Sequence, residues 1–571
     1  MNENYWDKVL GRRVSRRRAL AATGGTAAAA AFLAACGGGD GGGGTDSGSQ
    51  TGAKETFDPT SGKVGGKLIW QGYGDPGGGL ELIKVRNAGV YQMASLTHDS
   101  LLEFAYGQPK YPGIGNEVLP NLATALPEVS PDKLTVTFKM RPAKFHNGRA
   151  LTAEDAKWTY DTLAFAQESA YKVDMNFLDS TQAPDASTFV MKLKFPNADL
   201  LQDLAFKNQG AILAREHHES GAAEKSFLGS GPYLFVSYEP PLLMRYKRNP
   251  NYDVKPFPYF DEIDRLGTSD SEKKVADIIS RQVHLTYWFP AEERERVLAQ
   301  RKDLLVWKYP RAGSGQVYIR NDVAPFNDKR VRQALSMGYD RKILIDSVAA
   351  GEGEADQALS SSGEAWEFRK PKDLKRADLF QLNVAEAKKL LSAANVQIPL
   401  KVTIPTWNAT VIGQKFVDEI TLLTTQWRNN GLVDATLQEE TFGQFAPRFN
   451  GVYDTMHWGP NVTSTLPNLG RAIKDKYWSP PEGVKAPTLN ICYVNNPTLS
   501  DLVSKQLGEF DRQARIGLFR QVEDLLAEEM VHLSGVTGTL TYLGDPSLKN
   551  AQMPRDAYNG AVSWIKYWWF G

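Results

Sequence analysis

Cysteine is almost absent from this chain: 571 residues contain two, Cys36 and Cys492. They cannot build a disulfide framework, and two cysteines alone cannot make a zinc site. Net charge is missing too. The 66 Lys and Arg balance the 66 Asp and Glu, which argues against a nucleic-acid footprint, since that needs a basic excess on one face. There is no H-E-x-x-H zinc motif, no G-x-x-x-x-G-K-[ST] phosphate loop and no G-x-S-x-G nucleophile elbow. Ser271 and Lys274 fit S-x-x-K, but no K-T-G follows them. No stretch of 20–50 residues repeats, which excludes a solenoid. The weakly apolar run 19–35 has 17 residues, short of the ~20 that a membrane-spanning helix needs.

That run has another reading. It follows the basic stretch "GRRVSRRRAL" and ends in Leu33-Ala34-Ala35-Cys36. A basic region, a short apolar region and small residues before a cleavage point are the pattern of an export signal. Ser15 to Leu20 resembles a twin-arginine signal, with Ala19 where such signals usually carry Phe, so the general secretory route stays open. Leu33 to Cys36 resembles a bacterial lipobox, in which the cysteine is lipidated and becomes the first mature residue. The glycines that follow form a flexible tether without side chains to pack. Residues 1–35 are therefore expected to be a signal peptide and 36–62 a tether. The mature chain then carries four more acidic than basic residues. Cys492, in "LNICYVNN", alternates within a strand-like run and is expected to be an inert buried thiol.

Strand and helix patterns alternate along the rest of the chain, which makes it α/β. In "KLTVTFKMRPAKFHNGRALTAEDAKWTYDTLAFA", Leu134, Val136, Phe138 and Met140 alternate as one face of a strand. Asn147-Gly148 marks a turn, and Thr152 caps a helix whose buried face is Ala156, Tyr160, Leu163 and Ala164. "GSGPYLFVSYEPPLLMRYKRNPNYD" reads as two strands around a Pro-Pro break. Asp328 and Asp340 cap two helices, and Asn383 with Glu386 comes close to a capping box. Leu518, Val522, Leu525, Leu526 and Met530 mark a long amphipathic helix.

These segments, in this order, resemble the bacterial solute-binding lipoproteins that serve peptide and nickel ABC importers. "FHNGRALTAEDAKWTYD", "GSGPY", "KRNPNYD" and "PFNDKRVRQALSMGYDR" are each similar to a family signature. The resemblance runs from about Gly65 to Leu533. It implies a bilobed α/β fold of the class II periplasmic-binding-protein kind with an extra inserted subdomain. By motif position, the first lobe is expected at 63–94, 229–314 and 531–571, the insert at 95–228 and the second lobe at 315–530. Crossovers near Gly315 and Met530 would form the hinge. The implied function is delivery of an oligosaccharide or oligopeptide to an ABC permease by cleft closure. No enzymatic step, cofactor, metal or nucleic acid is involved. The protein would be a monomer, lipid-anchored at the outer face of the cytoplasmic membrane.

Aromatic residues at strand ends supply the candidate ligand contacts. Trp458 stands where peptide binders carry a Trp before an Asp-containing loop, but the loop here, from Gly459 to Thr465, has no acid. A peptide's α-ammonium would find no partner in it, and an unpaired buried charge is expensive. Trp458 with His457 and Asn461 suits a neutral hydroxylated ligand, with rings for apolar contact and an amide to fix hydroxyls. Tyr73, Tyr287, Trp288 and Trp407 end or follow other strands and complete the candidate set. His217, His218 and Glu219 lie in a polar segment and are expected to face solvent, and His146 is expected to be structural. Two other readings are a secreted lipoprotein hydrolase, which needs a nucleophile–base pair not evident in the sequence, and a ligand-sensing lipoprotein acting on a membrane receptor. The lipobox reading has a direct test. Cys36→Ser should move the protein from the membrane fraction to the soluble one without altering its fold, and a variant that stays membrane-bound in mild salt contradicts the reading.

Overall fold

A computed structural model describes residues 60–571 apart from 73–78, 86–87, 106–117, 173, 207–209, 241–242, 269, 288–290, 311–314, 356–358, 360–368, 409–413, 446, 449–450, 461–468, 480–489 and 552–562. Among the described residues, the larger sheet has seven strands. In order across it they are Tyr233–Glu239, Leu243–Arg248, Glu262–Gly267, Lys67–Gly72, Leu285–Tyr287, Thr539–Gly544 and Leu305–Pro310. Lys67–Gly72 runs parallel to Glu262–Gly267 over six residues. Helix Ser271–Ile279, capped by the Asp270 side chain, follows Glu262–Gly267 and returns the chain to Leu285–Tyr287, the crossover that parallel pairing requires. With helix Ala291–Gln300 it covers one face through Val275, Ile278 and Val297.

The other face, with Leu68, Trp70, Ile263 and Leu285, shares one continuous apolar cluster with the inserted segment. There a four-stranded antiparallel sheet runs Glu128–Val129, Thr135–Lys139, Thr188–Leu193, Leu178–Asp185. Val136 and Phe138 are fully buried, as their alternation requires. Helix Ala153–Phe165 begins where the Asp155 carboxylate accepts from the Thr152 backbone N–H at 2.9 Å. It lays Tyr160 on Phe189, and Phe138 stacks on the same ring.

The second sheet has five described strands: Val433–Glu440, Leu400–Trp407, Met456–Pro460, Gly315–Ile319 and His532–Ser534. Val317, Ile319, Ile404, Met456, Trp458 and Leu533 face helices Lys329–Ser336, Val384–Ala393 and Gln414–Asn429 in one core. Tyr318 faces the opposite way, toward Leu469–Tyr477, Pro497–Leu507 and Arg512–Glu529 in another. The Asp328, Asp340 and Asn383 carboxylate or amide oxygens accept from backbone N–H groups at 2.9, 2.8 and 3.0 Å, so all three cap their helices. The Glu386 carboxylate turns to Lys389 instead of closing a capping box. The long helix ends at Glu529, and Met530 follows in a left-handed conformation. Cys492 is buried and free, its thiol pushed up to about 12 by burial.

Among the described strands the chain crosses between these two large sheets twice, between Pro310 and Gly315 and between Ser534 and Thr539, the second time by way of Val536–Thr537, which pairs with Glu354–Ala355. His532–Ser534 pairs with Gln316 to Tyr318 in the second sheet, so the return to the first sheet comes after Ser534. At this point the Gly535 backbone N–H donates to the Gly315 carbonyl at 2.8 Å. The Trp458 indole lies directly beneath. A Cβ on Gly315 would overlap its ring, and one on Gly535 would run into Glu419 and approach Trp458 Cη2 to 2.9 Å. Overpacking a filled site costs about 1–3 kcal/mol, and Gly315→Ala should lower the stability measured by urea unfolding by that amount. Gly517, on the long helix with nothing within 4 Å of an added Cβ, is the control. Its change to Ala should stabilise by about 0.5–1 kcal/mol, and equal effects at both sites would rule out the packing described here.

Candidate ligand cleft

The parallel strands of the first sheet end at Gly72, Gly267 and Tyr287. Pro310 pairs with Thr539 at the same edge, because Leu305 and Leu285 both pair with Gly544. In the second sheet, Gly315 pairs with Pro460, Thr406 with Trp458 and Trp407 with Glu440. Both sheets therefore bring the carboxyl ends of their parallel strands to the edge where the chain crosses between them. In open α/β sheets this is the edge that receives ligands.

Alternation along the strands sorts the predicted residues. Trp458 shares the face of Met456 and has no exposed surface. Its indole N–H donates to the Phe416 carbonyl at 3.1 Å, and its ring lies 5.1 Å from that of Phe416. It packs beneath the crossovers. His457 points the opposite way. It stacks on Tyr318 at 4.6 Å with the rings parallel to within 1°, and meets Tyr453 and Phe445 edge-on. Phe445 also meets Trp407, which is 8% exposed. The structure thus joins Trp407 and His457 through Phe445 and puts Trp458 on the far face. Tyr287 is the last residue of its strand, paired with Tyr542. Tyr73, Trp288 and Asn461 follow Gly72, Tyr287 and Pro460 in sequence and lie outside the described residues, as does Cys36.

Two polar groups at this edge gave no sequence signal. The buried Glu440 carboxylate, beside Trp407 in the sheet, accepts from Arg448 Nε at 2.7 Å. Lys476, 1% exposed, donates to Gln316 Oε1 at 3.1 Å with its ammonium over the Tyr318 ring. Both pairs join residues whose types are ordinary for a surface, and only the fold buries them. The expectation for the histidine pair needs correction. His218 is not solvent-facing: its side chain is 7% exposed, with Nδ1 2.5 Å from Glu81 Oε1. Burial opposes ionisation of Glu81, but the His218 contact and the Ile83 backbone N–H outweigh it and hold the carboxyl below its ordinary value. His217 donates to the Ser226 carbonyl at 3.0 Å. A polar local sequence concealed a partner 137 positions away. His146 donates to the Gly231 carbonyl at 3.0 Å, a structural bond.

Residues 117–474 match the profile of the bacterial extracellular solute-binding proteins, family 5, middle region. The chain belongs to this family. Its members bind solutes and are not enzymes. A putative ABC transporter peptide-binding protein of Brucella ovis is 27% identical over 242 residues, 39% of this chain and 43% of that protein. The dipeptide-binding protein of Escherichia coli is 27% identical over 293 residues, 46% of this chain and 52% of that one. These matches span about half the length of the curated relatives. Among solved structures, HbpA2 of Haemophilus parasuis superposes with a TM-score of 0.73 at 17% identity, covering 89% of this chain and 100% of that one. A Helicobacter pylori binding protein solved with the peptide STSA gives 0.67 at 18% identity, with 89% and 98% covered. An A. tumefaciens R10 binding protein solved with agropinic acid gives 0.67 at 18%, with 89% and 99% covered. The fold is the bilobed α/β periplasmic-binding-protein fold.

Buried histidines in this family member make a pH prediction. Burial, with a smaller contribution from Lys476, lowers His532 to about 3. His98 and His457 are likewise held well below 6.5, chiefly by burial. In the unfolded chain each regains its ordinary value. The stability they contribute is therefore complete above about pH 6.5 and is lost as pH falls below it, for His532 down to about pH 3. At 1.36 kcal/mol per pH unit, His532 alone accounts for about 2 kcal/mol between pH 6.5 and pH 5. Urea unfolding of His532→Gln should show a smaller loss between pH 7 and pH 5 than the parent protein by about this amount. Parallel losses would mean that His532 is not held neutral.

Proposed function

We propose that this protein is an extracytoplasmic, lipid-anchored solute receptor that closes two lobes over a short peptide and presents the closed form to an ABC permease. The observation that carries the reading is the double crossover that links two sheets at the carboxyl ends of their parallel strands, in a chain of this family. Such a joint permits hinge closure around a ligand. The first lobe consists of 63–94, 229–314 and the chain beyond Ser534, with 95–228 inserted, and 315–534 forms the second. The envelope location draws on the family's extracellular character and on the lipobox at Cys36. No described helix is long and apolar enough to cross a membrane.

A peptide is favoured as ligand because the Brucella and Escherichia relatives are named for peptides or dipeptides. The loop after Trp458 has no acid to meet an α-ammonium. Glu440, beside Trp407 at the strand-end edge and held by Arg448, is the carboxylate assigned that task. Trp407 and the rings at 73, 287 and 288 supply apolar contact. Binding to the folded form alone raises stability by about 2.7 kcal/mol at a ligand concentration of 100 Kd. Thermal shift with di- to pentapeptides, agropinic acid and oligosaccharides should respond to the peptides. Small-angle scattering should then show a smaller radius of gyration with peptide, and Glu440→Gln should weaken binding at least tenfold. A response to oligosaccharides alone would replace the peptide with the neutral hydroxylated ligand that the acid-free loop favours. A bound ligand without compaction would argue against cleft closure.

A further inference from the structure

The insert and the helices of the second lobe belong to separate apolar clusters, yet a buried polar cluster joins them. Asp199, from the insert, is fully buried. Its Oδ1 accepts from Arg515 Nη2, and its Oδ2 accepts from the Arg471 backbone N–H at 2.6 Å. Arg515 and Asp199 are exposed by 2% and 1% of their side chains. Arg515 also donates to Gln506 Oε1 at 3.0 Å, and Gln506 Nε2 donates to the Gly470 carbonyl at 3.0 Å. The Arg471 guanidinium reaches back to the insert, where the Asp174 carboxylate accepts at 2.8 Å and the Asp174 carbonyl at 2.6 Å. The Ala198 N–H donates to the Leu507 carbonyl at 2.7 Å and Lys133 Nζ to the Gly508 carbonyl at 2.6 Å. Gly470 is required, since a Cβ there would strike both Arg515 and Gln506.

We infer that the Asp199–Arg515 and Asp174–Arg471 pairs form a latch that biases the lobes toward closure without ligand and leaves an open fraction for a ligand to close. The inference rests on the cleft-closure reading. The insert shares its core with the first sheet. It therefore turns with that sheet about the crossovers, and opening must separate Asp199 and Asp174 from Arg515 and Arg471. Both partners of each pair then regain water, so parting the intact pairs is cheap relative to burying one charge alone. Loss of one partner has the opposite consequence. An Arg515 left without its carboxylate is tolerated only when hydrated, which is the open state. The latch also reaches the ligand edge: Asp199 binds the first turn of helix Leu469–Tyr477, which follows the segment after strand Met456–Pro460.

The test needs no ligand. Ligand-free scattering should give Asp199→Asn a larger radius of gyration than the unaltered protein. Gly470→Ala, which displaces Arg515 sterically, should expand it in the same direction. Arg428→Gln, which removes an exposed pair with Asp434 within the second lobe, should leave it unchanged. A near-ultraviolet spectrum like the parent's establishes that each variant is folded, and either latch variant suffices if the other is not. Where a peptide compacts the Arg428→Gln control, it should bind Asp199→Asn at least tenfold more weakly. Unchanged ligand-free radii in both folded latch variants would overturn the latch even if peptide still compacts the parent protein. Expansion of the variants without any compaction by ligand would keep the latch and remove the peptide reading.

Discussion

Two glycines and a tryptophan carry the joint on which the rest of this molecule depends. Gly315 and Gly535 lie side by side, held by one backbone hydrogen bond, with the Trp458 ring filling the space that their side chains would need. The described strands of the two large sheets lie on one side of that joint or the other. Among the described residues the apolar clusters of the two large sheets are separate, and Trp458 and Val536 bring the second of them up to the joint. A receptor that must open and close needs such a division, because interdigitated cores resist sliding and a polar seam can be parted and rehydrated.

The polar contacts follow the same logic. Near the crossovers, Arg294 and Lys308 of the first sheet's side both bind Glu352 of the other. Between insert and second lobe, Asp199 with Arg515, almost completely buried, and Asp174 with Arg471, partly buried, do the equivalent. Inside the second lobe, His457 and His532 stay neutral among rings and beside Lys476. Ionic contacts thus bridge the two lobes at these places, and others, such as Glu440 with Arg448, are buried within one lobe.

Local structure was legible because it depends on neighbours in sequence. Val136 and Phe138 alternate into a core, and Asp328, Asp340 and Asn383 cap the helices that they precede. The ligand candidates were read from position at strand ends, and that placed Trp407 and Tyr287 at the edge. The same reading could not decide which face of its strand Trp458 takes, since Met456, His457 and Trp458 all suit a buried strand. The fold turns Trp458 toward Gly315 and His457 toward Tyr318. His218 was misread because its polar surroundings in sequence say nothing of Glu81.

The sequence by itself determined the α/β class, the helix starts, the family signatures and a lipobox reading at Cys36, because each is written in contiguous residues through periodicity, capping chemistry or motif spacing. Only the tertiary structure decided what long-range pairing decides. It placed His532–Ser534 in the second sheet, buried Trp458 beneath two glycines, and paired Glu440 with Arg448 and Asp199 with Arg515. The last of these joins residues 316 positions apart. A charged residue reads the same in sequence whether it meets water or a partner, and burial, which only the complete fold confers, makes the difference.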